Sequence, residues 1–90
     1  MLIVSRDAIN HNSSVVICVP FTDLEHSTRI YPSQASFKKG VGGLRKDSVA
    51  MCDQIRALTV SRLRDRLGTF DAISMMEIDE KLKNALDLED

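Results

Sequence analysis

Apolar residues along this chain fall into short runs broken by polar turn formers, with one long helical stripe near the C-terminal end. Leu2-Ile3-Val4 is a brief β-branched run that stops at Ser5-Arg6-Asp7, and Asn10-His11-Asn12-Ser13-Ser14 is a cluster of turn formers. The pattern there predicts a strand followed by a loop. Val15-Val16-Ile17-Cys18-Val19, closed by Pro20, is continuous, β-branched and too short for a helix, which predicts a strand buried on both faces. Residues from Asp23 to Ser33 carry polar and charged side chains around Tyr31-Pro32. They read as an extended surface loop, from which Pro32 leads into a strand at Gln34 to Phe37. Lys38 to Lys46 is glycine-rich without the Gly-Lys-Ser/Thr ending of a phosphate-binding loop, so it reads as a turn in which glycine supplies positive φ. Ser48 to Ile55 reads as a strand, with Asp53 and Gln54 standing where an apolar strand has no use for an acid and an amide. Ser61 to Leu67 reads as a helical turn stopped by Gly68. From Asp71 to about Leu88, Met75, Ile78, Leu82 and Ala85 recur at helical spacing with Leu86 beside them, while Glu77, Glu80, Lys81 and Lys83 occupy other faces. With Asp71 as N-cap, this predicts an amphipathic helix docked on a sheet. Several short strands and one terminal helix predict a small, mainly antiparallel α+β domain spanning residues 1–90.

Composition narrows the picture. Ninety residues permit one modest core and no second domain. The net charge of −1 conceals an asymmetry. Nine basic residues face three acids between Arg29 and Arg66, whereas seven acids face two lysines between Asp71 and Asp90. A basic middle attracts phosphate through counterion release, or it is an ordinary solvated surface; composition leaves both readings open. Cys18 and Cys52 sit inside apolar runs, as small buried thiols do, and pair with neither histidine at a zinc-like spacing. A reducing, cytoplasmic protein is expected, without a metal or other cofactor. No apolar stretch approaches the length of a membrane span. His11 and His26, the latter among Glu25, Ser27 and Thr28, read as loop histidines rather than catalytic ones, because adjacent loop residues rarely face one another.

Four segments in order carry a resemblance. Val4-Ser5-Arg6-Asp7-Ala8-Ile9-Asn10, Val19-Pro20-Phe21-Thr22, Asp47 to Arg56, and Leu67-Gly68 with the Met75, Ile78-Asp79 and Leu82 helix resemble the MazF/PemK toxin family along nearly the whole chain. The resemblance implies an SH3-like antiparallel barrel with a C-terminal helix. It further implies a ribosome-independent, metal-independent endoribonuclease that cuts single-stranded mRNA, works as a homodimer and is neutralised by a cognate antitoxin. Thr22 matches the family's active-site threonine, and Asp53 matches the carboxylate of an Asp-Gln pair whose amide is Gln54. Asp23 stands where a small polar residue is usual, and Met51 where one branch carries a catalytic arginine. Asp23, Arg29, Tyr31, Gln54 and Arg56 are the candidates for holding substrate. The family's opening Gly-x-x-Trp-type strand and its Arg-Pro segment have no match ahead of Leu2. The resemblance therefore implies a shortened chain, without the first strand and without the arginine that stabilises the transferred phosphate.

RNA cleavage without a metal uses the 2′-OH as nucleophile, and needs a base near it, an acid near the leaving 5′-oxygen and a cation for charge on phosphorus. Thr22 can donate and accept hydrogen bonds. Asp53 is either that base or a structural carboxylate held by loop amides. Arg6, Arg29, Arg45, Lys46 and Arg56 are candidate cations, with solvated strand ends as the alternative for Arg6 and Arg56. Two other functions fit the same sequence. One is a catalytically impaired toxin that retains dimer and antitoxin surfaces; the other, with less to recommend it, is the related gyrase-poisoning toxin fold.

Overall fold

The computed structural model describes residues 1–26, 29–63 and 66–88. Six strands form two antiparallel sheets of three. In the first, β1 (Leu2–Ile3) and β6 (Arg56–Thr59) flank β2 (Val15–Val19), with Leu2 opposite Val19 and Cys18 opposite Arg56. In the second, β3 (Phe21–Asp23) and β4 (Gln34–Phe37) flank β5 (Ser48–Met51). Pro20, which has no N–H to give to a ladder, separates β2 from β3 where the chain passes between the sheets, and its carbonyl accepts from the Met51 N–H at 2.9 Å. Helix α1 covers Asp7–Asn12 and helix α2 covers Ala72–Leu86.

Register sorts the second sheet into two faces. Phe21, Ala50 and Ala35 lie in one row and Asp23, Ser48 and Phe37 in another, two residues apart and so on the same side. Phe21, Ala35, Phe37 and Ala50 on that side join Val19, Cys52 and Ile78 in the core. Thr22, Val49 and Ser36, together with Met51 and Gln34, occupy the opposite side. Helix α2 covers the core side, where Ile78 is fully buried and Met75 and Leu82 pack beside it, as the predicted stripe requires. Asp71 caps its N-terminus by accepting from the Ser74 N–H at 2.7 Å, and the chain reverses at Asp87, whose φ is 55°. Phe70, just ahead of the helix, packs its ring 5.0 Å from Phe37 and 5.8 Å from Phe21. Gly42 lies flat against the Phe70 ring with φ 58°, where any Cβ would run into the ring.

The α+β class, the antiparallel sheets and the C-terminal helix agree with expectation, and the barrel is open. Among the described residues the two sheets remain separate, and the side between them is a cleft of about 830 Å³ lined by residues including Leu2, Phe21, Leu44, Leu58, Phe70 and Met75. Other differences are local. The segment expected to be loop around Asn10 is helix α1: the Asn12 amide donates to the Ala8 carbonyl at 2.8 Å, and Asn10 bonds back to Ser5. Polar side chains there support the turn of helix instead of breaking it. The strand expected to run to Ile55 ends at Met51 and turns through a 3-10 segment, Cys52–Gln54, into β6, which periodicity did not mark. The helical turn expected over Ser61 to Leu67 is a 3-10 turn at Val60–Arg62, and the rest of that expectation falls partly on residues 64–65, outside the described residues.

Candidate functional site

The side of the second sheet away from α2 gathers much of the chemistry. Thr22 is half-buried on β3, opposite Val49. Gln34 is half-buried on β4, opposite Met51. Two strand spacings and two residues along β5 separate them, roughly 12 Å diagonally between backbones. The fully buried Val49 and the half-buried Met51 of β5 lie between them on that side.

Asp53 reaches this side through Gln34. It stands exposed in the 3-10 turn after β5, and the Gln34 side-chain amide donates to both its oxygens, at 3.3 and 3.4 Å. The same amide's carbonyl oxygen accepts from the Tyr31 N–H at 3.2 Å, while the Gln34 N–H donates to the Tyr31 carbonyl at 2.9 Å. Tyr31-Pro32-Ser33-Gln34 is therefore a β-turn bonded at both ends, with proline at the position that favours its fixed φ. The Arg29 guanidinium carbon lies 5.1 Å from the centre of the half-exposed Tyr31 ring, in cation–π contact. Arg29, Tyr31 and Asp53, predicted separately, thus form one connected surface. Gln34 joins them, and sequence reasoning missed it; the available signal was an amide three residues after tyrosine in a Tyr-Pro turn.

The remaining candidates lie apart. Gln54 is exposed at the end of the Asp53 turn, and Arg56 is exposed at the start of β6 in the other sheet. Asp23 points to the side of β3 opposite Thr22 and accepts from the Lys46 ammonium at 3.4 Å; Lys46 also lies 3.8 Å from Glu25. His26 approaches the same two carboxylates, at 3.8 and 3.5 Å. Asp23, Glu25 and His26 present ligand-type atoms within 4.8 Å of one another, and Lys46 already supplies positive charge there. Asp23, Glu25 and Lys46 border a cleft of about 640 Å³ in which Lys39 and Arg45 also meet Asp47. Three cations against three carboxylates make this part of the basic middle a mixed-charge surface, not a basic trough. Ahead of Asp53, Cys52 is fully buried, and burial first, then the Asp53 charge, push its thiol up to about 11. It is a packing residue that anchors the Asp53 turn to the core.

Comparison with known proteins agrees with the fold. A family model described as PemK-like, MazF-like toxin of type II toxin-antitoxin system matches residues 1–86. The endoribonuclease MazF9 of Mycobacterium tuberculosis is 32% identical over 92 residues, covering 97% of this chain and 76% of the relative. The endoribonuclease MazF of Staphylococcus epidermidis is 34% identical over 88 residues, covering 98% of this chain and 69% of the relative. Among solved structures, the Mycobacterium tuberculosis toxin MazF-mt6 superposes with a TM-score of 0.84 at 26% identity, covering 98% of this chain and 85% of its own. A mycobacterial endoribonuclease in complex with its cognate antitoxin gives a TM-score of 0.82 at 28% identity, covering 98% and 80% respectively.

Proposed function

Since the chain belongs to the PemK-like, MazF-like toxin family of type II toxin-antitoxin systems, we propose that it is an endoribonuclease that cuts single-stranded RNA by attack of the 2′-OH on the adjacent phosphorus, without a metal ion. The family match carries this reading, and the curated relatives' names support it. The reaction forms a bond from the 2′-oxygen to phosphorus and breaks the bond from phosphorus to the 5′-oxygen, leaving a 2′,3′-cyclic phosphate and a 5′-hydroxyl. In this reading Asp53 takes the 2′-OH proton, Thr22 donates its hydroxyl hydrogen bond to a phosphoryl oxygen from across the sheet face, and the leaving 5′-oxygen takes its proton from solvent water. Tyr31 stacks a base of the bound strand, as aromatic residues do in single-strand readers. Arg29, in contact with the Tyr31 ring, supplies positive charge beside it, and Gln54 and Arg56 extend the substrate surface beyond Asp53. Asp23, paired with Lys46 on the other side of β3, has a structural part instead.

A protein antitoxin is the partner that the solved complex of a relative supports, and a homodimer belongs to the same proposal. The test is cleavage of a single-stranded RNA by the purified chain in EDTA, with an all-DNA copy as control. Cleavage of RNA alone is expected, and Thr22→Ala and Asp53→Ala should each slow it by roughly 10²–10³. Absence of cleavage by the folded protein would favour the impaired toxin that retains antitoxin binding. Unchanged rates in both variants would end the site assignment.

A further inference from the structure

We propose that Gln34 is a positioning residue whose side-chain amide locks the Tyr31 base-stacking segment to the Asp53 carboxylate, fixing the distance between a stacked base and the group that receives the 2′-OH proton. The proposal rests on the nuclease reading above and goes beyond it, because nothing in that chemistry requires the residue. Its basis is the two-ended bonding of one amide. The Gln34 carbonyl oxygen accepts from the Tyr31 N–H at 3.2 Å, and its NH₂ donates to the two Asp53 oxygens at 3.3 and 3.4 Å. Turning the amide over would set NH₂ against N–H and oxygen against carboxylate, so the partners dictate its orientation.

Few side chains can do both tasks. Glutamate could accept from Tyr31 but would face Asp53 with like charge. Asparagine has the right groups on a shorter stem, and the bonds to Asp53 are already at the long end of the hydrogen-bonding range. Because Asp53 and Tyr31 are both exposed, the clamp adds little to global stability. Its effect is on geometry, and catalysis is sensitive to geometry: a misplacement of about 1 Å can cost on the order of a hundredfold.

The chain supplies its own reporter. Tyr31 is the only tyrosine and there is no tryptophan, so intrinsic fluorescence reports on that segment alone. Gln34→Ala and Gln34→Glu are expected to keep the thermal midpoint within about 4 °C of wild type. Both should make Tyr31 more accessible to acrylamide quenching. In RNA cleavage, both should lower kcat on the order of a hundredfold while KM changes less than about threefold. Gln34→Ala combined with Asp53→Ala should cost no more than Asp53→Ala alone, since the two act through one another. A merely structural glutamine would give additive losses and an unchanged kcat at saturating RNA.

Equal quenching in wild type and Gln34→Ala, or fully additive losses, would overturn the proposal. No cleavage by the wild-type chain would instead contradict the nuclease reading and remove the positioning role with it. The quenching comparison would still show whether the clamp exists.

Discussion

Ile78→Ala tests whether α2 holds the second sheet in shape. Ile78 is fully buried and packs in one core with Val19, Ala35, Ala50 and Cys52. Removing the three carbons by which isoleucine exceeds alanine forfeits about 0.8 kcal/mol for each, and the cavity adds to that, since neighbours on a helix and two sheets cannot all collapse into it. The expected cost is about 3–4 kcal/mol, within the range for such truncations. A domain of this size has only about 5–13 kcal/mol in total, so the thermal midpoint should fall by roughly 12–30 °C. Urea unfolding followed by far-ultraviolet circular dichroism measures the free-energy cost, and a thermal scan the midpoint. Ile73→Ala is the internal control: Ile73 lies on the same helix but is 81% exposed, and its loss should change stability by no more than about 0.5 kcal/mol. A cost below about 1 kcal/mol for Ile78→Ala, or equal costs for the two, would refute the docking of α2 on this sheet. Because Cys52 shares that core and precedes Asp53, a surviving Ile78→Ala fold should also cleave RNA more slowly.

Three further outcomes follow from individual contacts. Asp71 holds the start of α2, and its bond from the Ser74 N–H keeps its carboxyl below the ordinary 3.8. A group with a depressed folded pKa stabilises above the unfolded value and loses that contribution as pH falls, so Asp71→Ala should melt earlier than wild type at neutral pH and the gap should narrow below pH 3.8; a gap constant with pH would contradict the charged cap. Gly42→Ala should destabilise by about 1–3 kcal/mol through positive φ and the Phe70 ring, and a neutral outcome in urea unfolding would show that the ring is free to move. Cys52, raised to about 11 in the fold, stays protonated where the unfolded thiol has ionised. Its contribution is therefore complete below the ordinary 9.0 and lost as pH rises towards 11. At neutral pH a thiol reagent should modify it slowly in native protein and rapidly in urea, and fast native labelling would place it outside the core.

The long helix was legible because Asp71 and the Met75, Ile78, Leu82, Ala85 stripe encode one cap and one buried face. β2 was legible because five apolar residues in a row, closed by Pro20, have no other economical fold. What local pattern concealed depended on partners far along the chain. The Asp7–Asn12 helix is made of residues that favour turns, steadied by Asn10 on Ser5 and Asn12 on Ala8. β6 is a half-polar edge strand whose register comes from β2. At the candidate site, Arg29, Tyr31 and Asp53 were legible one by one as residue types. Their connection was not, because Gln34 is 19 residues from Asp53 and meets it only once β4 pairs with β5. Charge left two readings open for the same reason: Lys39, Arg45 and Lys46 belong to the basic middle beside Asp47, and only the fold brings Asp23 and Glu25 to them.

Attack on phosphorus by the 2′-OH rather than by water is read from the ends of the cleavage products. A single-stranded RNA digested by the purified chain in EDTA and analysed by mass spectrometry should yield 2′,3′-cyclic phosphate and 5′-hydroxyl termini, with a 2′-deoxy substitution at the cleaved nucleotide abolishing the cut. Products carrying 5′-phosphate ends, or undiminished cutting of the 2′-deoxy substrate, would contradict it.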